Sequence, residues 1–156
     1  MTLKKSDIIV FVIILAAIVG LAALFFIAPS APADLGYAPV EIPGSTLAVT
    51  PGASWEGMEL FTVNLVQDGF ITVHQSMGGA PGPIIGTSGF LDHGLHDGTG
   101  VKLDTPLVPG QSYIALLHVD NGDQVFTVAD DLPVSADGQV VRVDFQADPN
   151  LPAAVN

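Results

Sequence analysis

The chain contains no cysteine among its 156 residues. This absence excludes a disulfide framework, thiol catalysis, zinc–thiolate sites and blue-copper centres, because each of these requires a cysteine sulfur. A domain outside the cytoplasm that has no disulfides must be held together by its hydrophobic core. About 100 residues follow the apolar and proline-rich segments described below, which is an ordinary length for one such domain.

Basic residues are also scarce. The chain has four of them against 16 acidic residues, which gives a formal net charge of −12. Lys4 and Lys5 supply two of the four, so the later part of the chain is more acidic still. Such a surface repels phosphates, and we therefore expect no nucleic-acid partner. It also disfavours contact with anionic lipid headgroups. A solvated acidic face, cation binding and docking to a basic surface stay open.

Motifs for catalysis are missing as well. No G-x-S-x-G pattern occurs, and Gly86-Thr87-Ser88-Gly89 is one residue too short for a nucleophile elbow. No glutamate follows Glu59, so the later strands offer no glutamate pair for acid–base chemistry. The glycine-rich stretch 78–83 lacks the lysine and the helix of a phosphate-binding loop. We expect a protein that is not an enzyme and that has no cofactor.

One long apolar run stands out. Residues 8–28 (IIVFVIILAAIVGLAALFFIA) carry no charge, and as a helix they would span about 31 Å, the thickness of a bilayer's hydrocarbon core. Lys4 and Lys5 precede the run, and no basic residue follows before Lys102, so the positive-inside rule predicts a cytoplasmic N-terminus. Ala31-Pro32-Ala33 leaves a cleaved signal peptide as an alternative, but the run is longer than the roughly 7–15 apolar residues of a secretory signal. We predict an uncleaved, single-pass helix in the cell membrane.

The sequence divides into five segments on this basis. We expect a cytoplasmic tail at 1–7, a transmembrane helix at 8–28, a proline-rich linker at 29–44, a periplasmic or extracellular domain at 45–147 and a C-terminal tail at 148–156. The linker has four prolines and is therefore semi-extended.

Two of these segments have features suited to contacts within the membrane and just outside it. Small-x-x-x-small spacing in the apolar run lets a second helix approach closely, which predicts contact with a partner helix at Ala16, Gly20 and Ala23. The linker contains apolar residues that would otherwise face water. We expect it to lie on a partner surface through Tyr37, Val40 and Ile42.

Beyond residue 45 the chain consists of short apolar runs separated by turn pairs such as Asp68-Gly69 and Asn121-Gly122. Near the end, Val141, Val143 and Phe145 alternate with polar residues, as in a half-buried strand. The predicted strands are 46–50, 58–67, 70–76, 83–88, 99–104, 112–119, 124–128 and 139–146. Eight short strands at this spacing predict an antiparallel β-sandwich.

The segment Leu107-Val108-Pro109-Gly110-Gln111-Ser112-Tyr113 leads directly into an apolar strand. It resembles the L-x-P-G-x-x-Y start of a strand in fibronectin-type and other immunoglobulin-like sandwiches. In those domains the tyrosine hydroxyl closes a corner by bonding to the backbone upstream. The resemblance implies that Tyr113 is a corner tyrosine.

A wider resemblance covers residues 61–147. It is carried by Gly69-Phe70 before a strand, Ile85-Gly86 with Ser88, Gly94 with His96, and His118-x-Asp120 before a turn. These features look like a family of uncharacterised extracellular immunoglobulin-like domains found in haloarchaea and some bacteria. The resemblance implies an all-β, immunoglobulin-like antiparallel sandwich, preceded here by one N-terminal transmembrane α-helix. It implies no activity.

The four histidines are the main candidates for site chemistry. Imidazole together with a thioether or a carboxylate is a donor set for copper or zinc, and the candidate ligands are His74, His93, His96 and His118. Their spacing matches no metal signature, and histidines at strand ends are more often ordinary hydrogen-bonding residues. Asp120-Asn121-Gly122-Asp123 offers oxygens of the kind that bind calcium, but it is too short for an EF-hand and also suits a hairpin turn.

We interpret the chain as a non-catalytic, membrane-anchored accessory or structural subunit that stabilises a larger complex of integral membrane proteins, with respiratory and photosynthetic assemblies as candidate hosts. The small face of the helix, the apolar linker and the strand 112–119, which is apolar on both faces, are the reasons. Two alternatives stay open. One is a copper- or zinc-binding module outside the cytoplasm, and the other is a cell-surface adhesion domain.

Overall fold

A computed structural model describes residues 38–50 and 58–148, with side chains from residue 61 onward in the second range. Within these ranges the chain forms β-strands joined by turns and loops. No helix in them has the length and apolar character needed to cross a membrane, and residues 8–28 lie outside them. The strands are β1 (Val40–Glu41), β2 (Thr46–Val49), β3 (Met58–Leu65), β4 (Gly69–Met77), β5 (Ala80–Thr87), β6 (Gly94–Leu103), β7 (Ser112–Val119), β8 (Val134–Ala136), β9 (Gln139–Val140) and β10 (Arg142–Gln146).

Seven strands form one antiparallel sheet in the order β10-β7-β4-β5-β6-β3-β2. The outermost strands, β2 and β10, approach each other, so the sheet curls back on itself around its inner face. The ring of Phe61 on β3 meets the ring of Phe145 on β10 edge-on, at 5.9 Å between centroids. A small second sheet has the order β1-β8-β9, with β1 and β8 parallel. The fold is therefore all-β, with the character of a sandwich or a barrel.

The strands β5 and β6 meet only over a short seam. Their pairing is limited to Gly86 with Leu103 and Thr87 with Lys102. Within the described residues, the earlier half of β5 is thus unpaired on that side. Pro81 and Pro83 lie in this open edge, where the missing N–H groups interrupt the row of donors that a further strand would need.

The main core lies inside the curled sheet and follows from the alternation of side chains along each strand. One face of β4 supplies Ile71 and Val73, and the matching face of β7 supplies Tyr113, Ala115 and Leu117. Other fully buried members come from the remaining strands: Phe61, Val63, Leu65, Val101 and Val134.

The opposite face of the β4–β7 pair is buried too. Its side chains are Phe70, Thr72, His74, Ile114, Leu116 and His118. Loops of the same domain cover it: Phe90 and Phe126 pack edge-on against Phe70, and Arg142 reaches the Gly79 carbonyl at the tip of the β4–β5 hairpin. The strand that is apolar on both faces is therefore an interior strand of its sheet, and its outer face is covered by the same domain.

Two sequence predictions require correction. Residues 124–128 form part of a loop instead of a strand, because the carboxylates around them bind backbone N–H groups in tight turns. The described end of the predicted linker belongs to the fold. Val40 donates its N–H to the Pro133 carbonyl, and the Ile42 side chain is only 3% exposed. Ile42 is thus covered by its own domain and does not face a partner, and the short β1 and β8 were missed.

The predicted tyrosine corner is present. The hydroxyl of Tyr113 accepts a hydrogen bond from the Val108 N–H at 2.7 Å, and the tyrosine side chain is fully buried. This bond holds the loop before β7 against the strand, in the arrangement that the L-x-P-G-x-x-Y pattern implied.

Replacing Tyr113 with phenylalanine should remove this hydrogen bond while keeping the buried ring. We expect the free energy of unfolding to fall by about 1–3 kcal/mol, because the Val108 N–H loses its acceptor in a partly buried position. Chemical denaturation of wild type and Tyr113→Phe measures the change. Equal stability of the two proteins would contradict a structural role for the hydroxyl.

The seam between β5 and β6 predicts a second sensitive position. A Cβ atom at Gly86 would lie 2.7 Å from the Lys102 carbonyl oxygen and 2.8 Å from a methyl group of Leu103. We expect Gly86→Ala to destabilise the domain by about 1–3 kcal/mol, as other overpacked sites do. Gly89→Ala is the matched control, because nothing lies within 4 Å of the added atom there. Thermal unfolding of both variants decides the matter, and equal effects would contradict the steric explanation.

Candidate functional site

The four histidines occupy two different environments. His74 on β4 and His118 on β7 are buried on the loop-covered face of the sheet, and the side chain of His93 is 75% exposed. His96 lies near the start of β6. Within the described ranges, no group of three or more histidine or acidic side chains is arranged to hold a metal ion. The structure therefore does not bring the candidate ligands together.

Both ring nitrogens of His74 have partners. Nδ1 donates to the Gly82 carbonyl at 2.8 Å, because a carbonyl can only accept. Nε2 is then the acceptor and receives the Thr72 hydroxyl at 2.9 Å. Burial lowers the pKa of His74, and the bond to Gly82 opposes this only in part. The ring is a neutral connector between β4 and β5, and its lone pair is already engaged.

His118 differs from His74 because only one of its two ring nitrogens has a hydrogen-bond partner. Its Nδ1 donates to the Asp131 carbonyl at 2.8 Å, and its ring stands edge-on to Phe126 at 5.3 Å. Nε2 is buried and has no hydrogen-bond partner. Burial lowers the pKa of His118 to about 4. The imidazole is therefore neutral near pH 7 and behaves mainly as an aromatic element that joins β7 to the loop after it.

The two outer histidines are tied to nearby acidic residues. The backbone N–H and the Nδ1 of His93 both bond to one carboxylate oxygen of Asp68, at 2.7 and 3.0 Å. This side-chain hydrogen bond is the main reason why the pKa of Asp68 is lowered. His96 donates from Nε2 to the Asp92 carbonyl at 2.7 Å. Each of these histidines fastens the segment between β5 and β6.

The acidic residues after β7 hold a loop in place. Asp120 accepts the N–H groups of Gly122 and Gln124, and Asn121 and Asp123 each accept the N–H two residues further on. The fully buried Asp131 accepts from Asn121 at 3.0 Å and from Thr127 at 2.6 Å. The side-chain oxygens that the sequence offered as calcium ligands thus accept hydrogen bonds from backbone N–H groups.

One open cavity of about 470 Å³ lies beside this loop. It is lined by Val66, Gln67, Asp68, His93, Asp120, Asn121 and Gly122. Sequence reasoning named His93 and the residues from Asp120 onward as separate candidates. It did not predict that the turn after β3 lies beside both candidates. Residues 66–68 approach residue 120 only because the β4–β7 pairing places Gly69 opposite Val119.

The remaining predicted contacts fall outside the described residues. These are the partner-helix residues Ala16, Gly20 and Ala23, together with Tyr37 of the linker. They stay predictions. Val40 is described, and it is partly buried against the core of the domain.

The buried histidines predict a pH dependence of stability. The pKa of His118 is about 4 in the folded protein against 6.5 for an unfolded chain, so between these values the unfolded state binds more protons. The contribution of His118 to the free energy of unfolding is therefore fully present above pH 6.5. It is lost as the pH falls towards 4, and the loss is roughly 3 kcal/mol. His74, whose pKa is also lowered, adds a loss of the same sign. Besides Phe126, the groups near His118 are His74 and Asp131.

Between pH 4 and 6.5, the unfolding free energy of His118→Gln should depend less steeply on pH than that of the wild type. The difference in slope should correspond to close to one proton. A histidine ring resonance should also titrate near pH 4 in the wild type. Titration of the His118 ring above pH 6 in the folded protein would contradict the burial argument.

Metal removal gives a further prediction. Because each described histidine bonds within the domain, we expect chelation by EDTA to leave the thermal unfolding of the full chain unchanged. Differential scanning calorimetry before and after chelation measures this. A substantial loss of stability would restore His74, His93, His96 and His118 as candidate ligands.

Comparison with known proteins places these features in a family. No solved structure matches the chain. The cell surface glycoprotein 1 of Haloarcula hispanica is 31% identical over 106 residues, which covers 65% of this chain and 11% of the length of that protein. The profile of the family described as "Domain of unknown function (DUF7282)" matches residues 52–148, more than half of the chain. The protein therefore belongs to the DUF7282 family.

Proposed function

We propose that this protein is a non-catalytic cell-surface module. Its β domain lies outside the cell, segment 8–28 holds it at the membrane, and it works by contact with other molecules. The observation that carries the proposal is the similarity to a protein named cell surface glycoprotein over 65% of this chain. The matched region includes at least part of the domain described above, because 106 aligned residues exceed everything that precedes residue 45.

The charge of the domain supports this location. Only Lys102 and Arg142 are basic after residue 28, and Arg142 is engaged with Asp144 at 2.6 Å and with the Gly79 carbonyl. The surface is therefore strongly acidic. An acidic domain stays soluble and is repelled from anionic headgroups, which keeps it clear of the bilayer to which it is anchored.

The placement of polar side chains favours contact over catalysis. Ser88 accepts the Ile71 N–H and donates to the Gly89 carbonyl, so its proton is already engaged by the backbone. His74, His118 and Asp131 are likewise buried and bonded to the backbone or to neighbouring side chains. In this arrangement the usual nucleophile and base candidates serve the packing of loops onto the sheet.

The structure also bears on the choice between a surface module and an accessory subunit. Two reasons for expecting a neighbouring subunit were the apolar linker and the strand that is apolar on both faces. Ile42 is buried in the domain, and the outer face of β7 is covered by the domain's own loops. A subunit contact then rests on the helix residues Ala16, Gly20 and Ala23 and on Tyr37 of the linker, so we favour the surface module.

The glycoprotein character of the relative does not extend to N-linked sites here. Asn64, Asn121 and Asn150 are each followed at the second position by a residue other than serine or threonine, so none of them begins an acceptor triplet. At these three positions the surface module would therefore present polypeptide and not an N-linked glycan.

The absence of cysteine gives a direct test of location. Thr105→Cys introduces a single thiol at an exposed position of the domain, and Thr2→Cys introduces one before the apolar run. We expect a membrane-impermeant maleimide to label the Thr105→Cys variant on intact cells, and the Thr2→Cys variant only after lysis. Labelling of the Thr105→Cys variant only after lysis would overturn the proposal. Labelling of Thr2→Cys on intact cells would contradict the predicted orientation.

A further inference from the structure

Several large apolar side chains stand in solvent at one end of the domain. Among the described residues the exposed large apolar side chains are Val66, Met77, Leu95, Val108, Val125 and Val128. Val66 and Leu95 follow residues that pairing brings together, because Leu65 lies opposite Gly94. Asp120, which begins the loop that carries Val125 and Val128, donates its N–H to the Asp68 carbonyl at the same end of the sheet. We call residues 66–68, 91–95 and 120–128 the loop-end surface.

The exposed valines of this surface are held by a rigid loop. Phe126 points inward and packs against Phe70 and His118, at 5.5 and 5.3 Å between ring centroids. Asp131 fixes the backbone on both sides of it, at Asn121 and Thr127. Val125 and Val128, on either side of this anchor, are 62% and 49% exposed. A loop already fixed in this form loses little conformational entropy on binding.

The charges around the valines define the kind of partner. Asp68 and Asp120 line the cavity together with Val66, and Asp123 lies two residues before Val125. The loop-end surface contains no lysine or arginine. An apolar patch with an acidic surround is complementary to an apolar patch that carries basic residues. The same charges oppose an anionic lipid surface.

We propose that the loop-end surface docks a protein partner that places a lysine or arginine side chain in the cavity and an aliphatic surface against Val125 and Val128. The cavity is wide open to solvent, so a long basic side chain can reach the carboxylates of Asp68 and Asp120 that line it. This inference rests on the proposed function only in requiring that the domain act by contact. It names the surface and the chemistry of the partner.

The test uses the full chain in neutral detergent micelles, with 13C-labelled valine methyl groups. Three Gly/Ser-flanked peptides serve as probes, with the central sequences Lys-Val-Val-Lys, Lys-Ser-Ser-Lys and Glu-Val-Val-Glu. We expect only the first to shift the methyl resonances of Val66, Val125 and Val128 in a saturable way. Val108 is exposed in the loop before β7, away from the loop-end surface, and serves as the internal control.

Variants separate the two parts of the surface. The double variant Val125→Ser/Val128→Ser and the single variant Asp68→Asn, whose amide oxygen can still accept the two His93 hydrogen bonds, should each weaken binding about tenfold. Val108→Ser is the matched control and should leave binding unchanged. Unaltered methyl resonances of the buried Val73 confirm that each variant is folded.

Three results would overturn the proposal. The first is an equal response to Lys-Ser-Ser-Lys, which would mean that charge alone attracts the peptide. The second is a shift at Val108 in place of the loop-end valines, or binding that the variants do not change. The third is a stronger response of the same valines to an anionic lipid mixed into the micelles than to the peptide. If Thr105→Cys is labelled from outside while any of these holds, the surface location stands and only the docking site fails.

Discussion

The β4–β7 pair lies in the interior of the sheet and is buried on both faces, and most of the architecture follows from that constraint. One face is satisfied by the curl of the sheet, which brings β2 towards β10 and encloses Ile71, Val73 and Leu117. The other face has no second sheet to cover it within the described residues. Loops take that role, and they must be ordered to do so. The hydrogen bonds of His118 and Asp131 supply the order, because His118 ties the loop after β7 to the covered face and Asp131 fixes the backbone of that loop. His74 instead ties β4 to β5.

The loops after β5 and β7 consequently present different side chains to the sheet and to solvent. The inner side carries Phe90 and Phe126, which pack on Phe70. The outer side carries the acidic residues and the exposed valines. Because Asx-type turns use the carboxylates at 120 and 123, the same acidic residues fix the backbone and set the potential of the surface. A change at these positions is therefore expected to alter shape and charge together.

Local patterns in the sequence were enough to predict most of the strands and the tyrosine corner. The alternation at Val143 and Phe145 and the L-x-P-G-x-x-Y segment are both read from neighbouring residues, and both are confirmed in the structure. The failures have two different causes. Residues 124–128 have strand-like composition but are held in a loop by carboxylates only two to four residues away, among them Asp131. Val40 pairs with Val134 across the whole domain, and no local pattern carries that information.

The candidate site was harder to predict for the same reason. Residue types named the histidines, but their burial depends on which face of the sheet is covered. One available signal was overlooked: Phe70, Thr72 and His74 share a parity on β4, so an apolar environment for the first predicts one for the third. The cavity beside Asp68 gave no such signal, because the pairing of Gly69 with Val119 creates it.

Pro81 and Pro83 in the open part of β5 bear on how copies of this protein can coexist at high density. A bare strand edge is a template on which a strand from another molecule can assemble, and a continuous row of N–H donors is what makes it one. Two prolines within three residues remove that continuity. Neighbouring copies would thus be unable to fuse their sheets at this edge into a growing fibre. At this edge, association between molecules is left to side chains, where it can be selective and reversible.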